Sequence, residues 1–235
     1  MIKLQDILNE GVYDPGIFKA VFTAGGPGSG KSYTASSLFG MPETMPYVSA
    51  KGLKGVNSDS AFETFLDKAN LSHDVKSLNP DDYEKAMDLR NQAKRVTAKR
   101  MHSYINSKLG MLIDGTGKNY DKISNMARQL RKQGYDCYMV FVNTSLEVAL
   151  QRNQQRSRKV PDDVVKKGHA AVSNNMGRFQ GLFGTGNMLI VDNSEYKDFE
   201  KHVIKAANKF VAKPIQNKIA KKWIAKELEL KRRWN

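Results

Sequence analysis

Residues 25–32 read Gly-Gly-Pro-Gly-Ser-Gly-Lys-Ser and match the phosphate-binding pattern G-x-x-x-x-G-K-[ST]. In such a loop, successive backbone N–H groups point inward and form a nest for an anion. Lys31 adds a mobile positive charge that can reach the β- and γ-phosphates of a nucleotide, and the Ser32 hydroxyl can hold Mg²⁺. We therefore predict that ATP and Mg²⁺ are bound by Gly25, Gly26, Pro27, Gly28, Ser29, Gly30, Lys31, Ser32 and Tyr33.

The residues on either side of this loop have the pattern that a phosphate-binding loop requires. Residues 17–23 indicate a short buried strand, and residues 32–38 can continue as a helix. The unpaired N–H groups at the start of that helix add the positive end of a dipole. Because glycine tolerates positive φ, we expect positive φ at Gly25, Gly28 and Gly30. A flexible Gly/Ser linker is the alternative, but a linker has no need of the order Gly-Lys-Ser.

Asp114 ends the all-apolar run at residues 111–113. A carboxylate at the end of a buried strand beside the phosphate-binding loop can bind Mg²⁺ through water, and we predict that role for Asp114. The alternative is that Asp114 caps the following turn. Residues 114–117 also spell the D-x-x-G of GTPases, but no guanine-reading N-K-x-D motif follows, so we treat that match as accidental.

Asp59 follows a second short strand that we expect to end near Val56. In phosphoryl transfer, a carboxylate at this place can orient the acceptor hydroxyl and take its proton. We therefore predict a catalytic role for Asp59. The alternative is that Asp59, or Ser58, is the N-cap of a helix over residues 60–70.

A cluster of basic residues is the third feature that could take part in chemistry. Arg152 and Arg156 are four residues apart, so both project from one face of a helix, and Arg158 follows before Pro161. Arginines on a mobile segment can neutralise the negative charge that spreads over the γ-phosphate oxygens during transfer. We predict catalytic roles for Arg152 and Arg156, with Arg152 also contacting ATP; the alternative is a solvated basic helix face.

Short apolar strands alternate with helical segments along most of the chain. The pattern predicts strands at 17–23, near 56, and at 111–113, 135–142 and 188–191, and helices at 32–38, 60–70, 80–109, 121–133, from 145 to an interruption at 160–161, and at 195–211. This alternation is typical of βαβ units, and it predicts an α/β fold with a parallel sheet covered by helices on both faces. Because ligands bind beyond the carboxyl ends of such strands, the loops 25–32, 57–59 and 114–119 are expected to form the site.

The composition limits the class of protein. A chain of 235 residues suits one large domain, and no apolar run approaches the roughly 18 residues of a membrane span. The first residues lack the apolar core of a signal peptide. The single cysteine, Cys137, excludes an internal disulfide and suits a reducing compartment, so we expect a cytoplasmic protein.

The net charge of +14 exceeds what binding of one triphosphate needs, and so strong an excess attracts polyanions, nucleic acid first among them. Residues 197–235 contribute twelve Lys and Arg against four Asp and Glu, a net +8. Ile215, Ile219 and Trp223 recur at helical spacing and give this segment one apolar edge. Its basic side could grip phosphates, meet an anionic membrane surface, or form a solvated cap.

Four features follow one another along the chain: the GGPGSGKS loop, Asp59, the run D-G-T-G-K-N at residues 114–119, and R-N-x-x-R-x-R-x-V-P at residues 152–161. In this order they resemble P-loop kinases of the zeta-toxin and phage polynucleotide-kinase group. The resemblance covers roughly residues 18–193. It implies a P-loop NTPase-type three-layer fold, ATP–Mg²⁺ binding by Lys31 and Ser32, Asp59 as base, and Arg152 and Arg156 in a lid. The chain departs from the pattern in two places: Lys118 stands where zeta toxins often have an arginine, and residues 61–63 (Ala-Phe-Glu) stand where polynucleotide kinases have one.

This resemblance implies an ATP-dependent kinase that acts on a hydroxyl of a nucleic acid, such as a 5′-OH end, or of a nucleotide. The acceptor is expected to contact Asp59, Thr116, Lys118 and Arg158. One alternative is a zeta-toxin-like kinase of a nucleotide-activated amino sugar, and another is a nucleic-acid-binding protein that only hydrolyses ATP. The oligomeric state and any protein partner stay open.

The expected domain organisation has three parts. Residues 1–16 form an amphipathic arm, and residues 17–211 form the kinase domain with a lid at about 150–182. Residues 212–235 form a basic helical extension.

Overall fold

The structure is a computed structural model that describes residues 11–42, 47–155, 160–195, 199 and 201–233. Within these ranges, the five strands are β1 (Lys19–Ala24), β2 (Lys54–Val56), β3 (Met111–Asp114), β4 (Asp136–Asn143) and β5 (Met188–Asp192). The eight α-helices are α1 (Lys31–Phe39), α2 (Ser58–Lys68), α3 (Pro80–Asn106), α4 (Tyr120–Lys132), α5 (Leu146–Gln154), α6 (Asp162–Phe183), α7 (Lys201–Ala212) and α8 (Lys218–Arg233). Most of the predicted N-terminal arm, residues 1–10, lies outside the described residues.

The five strands form one parallel sheet in the order β2-β3-β1-β4-β5. The predicted α/β fold with a parallel sheet is confirmed. β1 lies at the centre of the sheet, so the phosphate-binding loop leaves from its middle. The register of β1 against β3 places Thr23 opposite Asp114 at the carboxyl end, where the functional site was expected.

Every residue of β1 is buried, as expected for a strand covered on both faces. Its side chains alternate between two apolar clusters. Phe22 packs on the face covered by α4, α6 and α8, and Val21 packs on the face covered by α1 and α7. The result is a three-layer arrangement. Among the described residues, no helix is long and apolar enough to cross a membrane.

The start of α2 contradicts the alternative in which Asp59 or Ser58 is the N-cap of this helix. Asn57 is the N-cap, and its Oδ1 accepts a hydrogen bond of 2.8 Å from the backbone N–H of Asp59. Capping by Asp59 or Ser58 is therefore wrong. Three consecutive residues here can all cap a helix, so sequence alone does not choose among them, and the extended backbone of Asn57 decides the position. The predicted interruption near Pro161 is confirmed, because Pro161 is the N-cap of α6.

Lys19 links the C-terminal segment to the sheet at the amino-terminal ends of its strands. Its side chain is buried, and the ammonium donates to the carbonyl of Lys213 and, over 3.3 Å, to the hydroxyl of Tyr138. Asp136 lies 3.8 Å from the same ammonium. Burial lowers the pKa of Lys19 from 10.5 to about 8, against the opposing effect of Asp136.

This lowered pKa predicts a pH-dependent contribution to stability. Between about 8 and 10.5, the unfolded chain holds a proton on Lys19 that the folded chain has lost, so stability from this group rises with pH. We expect the free energy of unfolding of the wild type, minus that of Lys19→Met, to increase across this window. Urea titrations at several pH values measure the difference, and a difference independent of pH would contradict the prediction.

Candidate active site

The phosphate-binding loop joins β1 to α1 and contains two glycines with left-handed backbone. Gly28 and Gly30 have φ of +77° and +81°, which confirms the expectation at both positions. A Cβ on Gly28 would overlap the carbonyl oxygen of Ala149, and one on Gly30 would overlap the side-chain amide of Asn193. Neither position can therefore take another residue without strain.

Gly25 does not have positive φ, so the expectation there is wrong. Glycine is required at this position for space, because a Cβ would lie 2.5 Å from Ser29 Oγ and 3.0 Å from the carbonyl oxygen of Val142. The backbone N–H of Gly25 donates to the carbonyl of Thr116 over 3.2 Å. This bond ties the phosphate-binding loop to the loop that follows β3.

Lys31 is the first residue of α1, and its ammonium turns back to the loop. It donates to the carbonyl oxygens of Gly25 over 2.9 Å and Gly26 over 3.3 Å. Ser32 and Tyr33 are exposed in the same helical turn, and the Tyr33 ring packs 5.5 Å from that of Phe199. The charge and the hydroxyl predicted to bind ATP–Mg²⁺ thus lie together at the mouth of the loop.

A buried asparagine that follows β5 forms hydrogen bonds that support the phosphate-binding loop. Asn193 is only 3% exposed, and its side-chain amide donates to the carbonyl of Ser29 over 2.8 Å. The Thr144 hydroxyl lies 3.3 Å from the same carbonyl and 3.2 Å from the carbonyl of Asn193. These bonds hold the loop in shape before any ligand arrives.

We expect Asn193→Ala to weaken ATP binding about tenfold and to lower the free energy of unfolding by about 1–3 kcal/mol, because it leaves the Ser29 carbonyl without its best donor. Titration with ATP and urea unfolding measure the two effects. Asn125→Ala, at an exposed position of α4, is the matched control. Unchanged ATP affinity in Asn193→Ala would show that the loop holds its shape without this bond.

Arg152 lies beside the same loop. Its Nη1 donates to the carbonyl of Asn193 over 2.6 Å and is 3.6 Å from the place that a Cβ on Gly30 would take. Arg152 is therefore close to the expected phosphate chain. Arg156 and Arg158, the other predicted arginines, lie outside the described residues.

Helix α6 packs on both loops of the site. Gly168 lies against Pro27 so closely that a Cβ on Gly168 would come 3.0 Å from Pro27 Cδ. The side-chain amide of Asn175 donates to the carbonyls of Gly117 over 2.9 Å and Lys118 over 3.1 Å. One helix thus fixes the phosphate-binding loop relative to the loop after β3.

Asp114 is held in place by Thr23. The Thr23 hydroxyl donates to Asp114 Oδ1 over 2.8 Å, across the pair that their register creates. Thr23 is buried and Asp114 is exposed, so the carboxylate faces outward from the end of the sheet while one oxygen stays anchored.

A cavity of 470 Å³ lies between α1, α2 and the end of β3. Lys31, Ser32 and Asp114 line it at the phosphate end, and Asn57 and Glu63 line it on the side of α2. We refer to it as the first cavity. It brings together the Lys31 ammonium, the Ser32 hydroxyl and the Asp114 carboxylate, which the sequence predicts to bind ATP and Mg²⁺.

A second cavity of 360 Å³ lies between α3, α4 and the loop after β3. It shares Asp114 with the first cavity, and Thr116 also lines it. Lys94 and Lys122 supply positive charge at its wall, and Met101 is among the apolar residues of its floor. The two cavities are therefore adjacent at Asp114, the Mg²⁺-binding candidate.

Asp59 and Lys118, two of the residues predicted to contact the acceptor, line neither cavity. Asp59 is exposed in the first turn of α2, between Ser58, which lines the second cavity, and Ser60, which lines the first. Lys118 is exposed on the loop after β3. Asp59 is therefore next to both cavities and open to solvent.

The oxygen ligands at the phosphate end fit Mg²⁺. A hydroxyl at Ser32 and a carboxylate at Asp114 are hard oxygen donors, and Mg²⁺ binds such sites through few protein ligands, waters and substrate phosphates. Among residues that the structure describes, no group of three or more His, Cys, Asp or Glu side chains could hold a metal ion by itself. A metal in this part of the chain would therefore depend on phosphate oxygens as well.

Sequence reasoning missed Thr23, Glu63 and the supporting role of Asn193. Thr23 belongs to no recognisable motif, and its role becomes apparent only from its pairing with Asp114 in the sheet. Asn193 lies far along the chain from Ser29 and meets it only through the fold. Glu63 could have been found, since it falls one helical turn after Asp59.

Several solved structures share this fold. A structure described as a candidate kinase from Chloroflexus aurantiacus has a TM-score of 0.52 and 14% identity, over 82% of this chain and 97% of that one. The PezAT toxin–antitoxin structure from Streptococcus pneumoniae has a TM-score of 0.52 and 12% identity, over 82% of this chain and 85% of that one. The AvrRxo1-ORF1:-ORF2 structure with ATP has a TM-score of 0.54 and 14% identity, over 84% of this chain and 64% of that one. Identities this low show a shared fold alone.

A comparison with curated protein sequences gives no significant match. The model of a family described as an AAA domain matches residues 21–176, which include the phosphate-binding loop, Asp59, Asp114 and Arg152. The chain therefore belongs to this AAA domain family, and its fold is that of a P-loop kinase.

Proposed function

We propose that this protein is a kinase that transfers the γ-phosphate of ATP to a hydroxyl group of a nucleic acid or nucleotide. The observation that carries the proposal is the convergence of Lys31, Ser32 and Asp114 in one cavity, with a second cavity adjacent to it at Asp114. The first has the groups that bind a triphosphate, and the second gives room for an acceptor.

The donor half of the reaction uses the phosphate-binding loop. Its backbone N–H groups and Lys31 bind the β- and γ-phosphates, and Ser32 and Asp114 would hold Mg²⁺, which would supply positive charge to the phosphate oxygens. Arg152 and Arg156 add positive charge where it develops during transfer. ATP as the nucleotide is supported by its presence in the similar AvrRxo1-ORF1:-ORF2 structure.

The acceptor half uses the second cavity. Lys94 and Lys122 suit an acceptor that carries phosphate, and the apolar floor suits the face of a base. Thr116 lines the cavity, and Lys118, which is exposed on the loop after β3, and Arg158 are the other residues that we assign to acceptor binding. A nucleotide or the end of a polynucleotide has both of these properties.

We assign the role of general base to Asp59. Asp59 is exposed in α2, between Ser58, which lines the second cavity, and Ser60, which lines the first, so an acceptor that spans both cavities would pass near it. A base at this place would take the hydroxyl proton as the new P–O bond forms.

Glu63 favours a second candidate, a kinase of a nucleotide-activated amino sugar. It lines the first cavity in the segment where polynucleotide kinases have an arginine. A carboxylate there can accept hydrogen bonds from the hydroxyl and amino groups of a sugar. The zeta-toxin-like assignment is also supported by the likeness to the PezAT toxin–antitoxin structure.

The experiment that tests the proposal follows the labelled γ-phosphate of ATP. Incorporation into an oligonucleotide with a 5′-OH end or into a nucleotide is the expected result, and incorporation into a uridine diphosphate amino sugar would select the second candidate. Release as free phosphate alone, with every acceptor offered, would overturn the kinase assignment and favour a nucleic-acid-binding ATPase.

A further inference from the structure

Helix α8 is docked on the protein by one face. The Trp223 ring packs edge-on against Phe18 with centroids 5.5 Å apart, and Ala220 is fully buried against Gly134. Before the helix, Asp136 accepts a hydrogen bond of 3.0 Å from the backbone N–H of Asn217. Much of the apolar side of α8 is therefore used in contacts with the rest of the chain, whereas Ile219 and Leu230 stay exposed.

This docking site lies at the end of the sheet away from the active site. Phe18 precedes β1 and Gly134 precedes β4, whereas the phosphate-binding loop follows β1. A strand of six residues spans about 20 Å, which separates α8 from the loop. A group that contacts α8 is consequently about 20 Å from the phosphate-binding loop.

The outward side of α8 is cationic. Its exposed basic residues are Lys218, Lys221, Lys222, Lys226, Lys231, Arg232 and Arg233. Among described residues, Arg233 pairs with Glu229 over 2.5 Å, and none of the lysines at 218, 221, 222 and 226 forms an ion pair. These charges extend along a helix of 16 residues, about 24 Å long.

We propose that this outward side of α8 binds the phosphodiester backbone of a nucleic acid, at a surface separate from the active site. A row of charges about 24 Å long matches the axial length of roughly seven base pairs of duplex DNA. A helix that binds a membrane surface needs a continuous free apolar face to insert, and in α8 Trp223 and Ala220 are packed on the protein, which leaves only Ile219 and Leu230 as exposed large apolar side chains. The charge pattern and the packing therefore favour nucleic acid over lipid.

The test measures binding of short labelled DNA and RNA duplexes without ATP, at salt concentrations from about 50 to 200 mM. The variant Lys218→Gln/Lys222→Gln/Lys226→Gln removes three exposed charges at spacing of four on α8. The matched control, Lys201→Gln/Lys205→Gln/Lys209→Gln, removes three exposed charges at the same spacing on α7. Glutamine has nearly the same helix propensity as lysine, so both variants should keep their helices.

We expect the α8 variant to bind about tenfold more weakly and to lose up to about 2.7 of the salt slope on duplex DNA, with less than about 1 lost in the control. Equal losses in both variants would overturn the proposal, because net charge alone would then explain binding. It would also be overturned if α8 charges governed binding to phosphatidylserine vesicles but not to either duplex. If either triple variant melts early, Lys222→Gln and Lys205→Gln repeat the comparison singly.

The surface does not depend on phosphoryl transfer. Transfer from labelled ATP to a mononucleotide acceptor should be the same in the α8 variant as in the wild type. Failure of the kinase assignment would therefore leave the duplex-binding result intact, and the reverse also holds.

Discussion

Replacement of Lys31 by alanine is expected to lower phosphoryl transfer by about 10²–10³-fold or more. Lys31 is the only charged residue of the phosphate-binding loop, and its ammonium already lies within 3.3 Å of two of the loop carbonyls. Without it, the charge that develops on the γ-phosphate loses its nearest protein cation. Initial rates with labelled ATP measure the effect.

The matched control is Lys205→Ala, at an exposed position of α7 far from the loop. It should transfer phosphate at the wild-type rate. Thermal melting shows whether both variants are folded. Wild-type turnover in a folded Lys31→Ala protein would remove the phosphate-binding loop from the mechanism.

Replacement of Asp59 by asparagine is expected to leave ATP binding unchanged and to lower turnover by about 10²-fold or more, because an amide cannot take the acceptor proton. Calorimetric titration gives the affinity for ATP, and single-turnover rates give the chemical step. The fold should persist, since Asp59 uses its backbone N–H, not its side chain, in the cap of α2.

Glu63→Gln is the matched variant for Asp59→Asn, with the same change of carboxylate to amide one turn along the same helix. It should alter the preference among acceptors more than the rate, because Glu63 lines the first cavity beside Lys31. A larger fall in turnover for Glu63→Gln than for Asp59→Asn would instead identify Glu63 as the base.

The fold and the phosphate end of the site could be predicted because their signals are local. The loop pattern at residues 25–32 specifies its own backbone, and the alternation of strands and helices specifies a parallel sheet. The carboxyl ends of parallel strands meet at one edge, so Asp114 could be placed beside Lys31 without any knowledge of side-chain contacts.

The remaining parts depend on contacts between distant segments. Ser29 and Asn193 meet only when β5 lies beside β4, and no local pattern reports that. Gly25 shows a second limit of prediction from sequence. A glycine that is required because a Cβ would clash cannot be distinguished, in the sequence, from a glycine that is required for positive φ. The apolar edge of α8 was visible in sequence, but its partner, Phe18, was not.

The measurement that tests the central claim most directly is calorimetric titration of the folded protein with ATP in the presence of Mg²⁺. Lys31, Ser32 and the backbone of residues 25–30 should bind one nucleotide per chain, and Lys31→Ala should weaken that binding. If well-folded wild-type protein takes up no nucleotide under these conditions, the phosphate-binding assignment, and the kinase mechanism that depends on it, are contradicted.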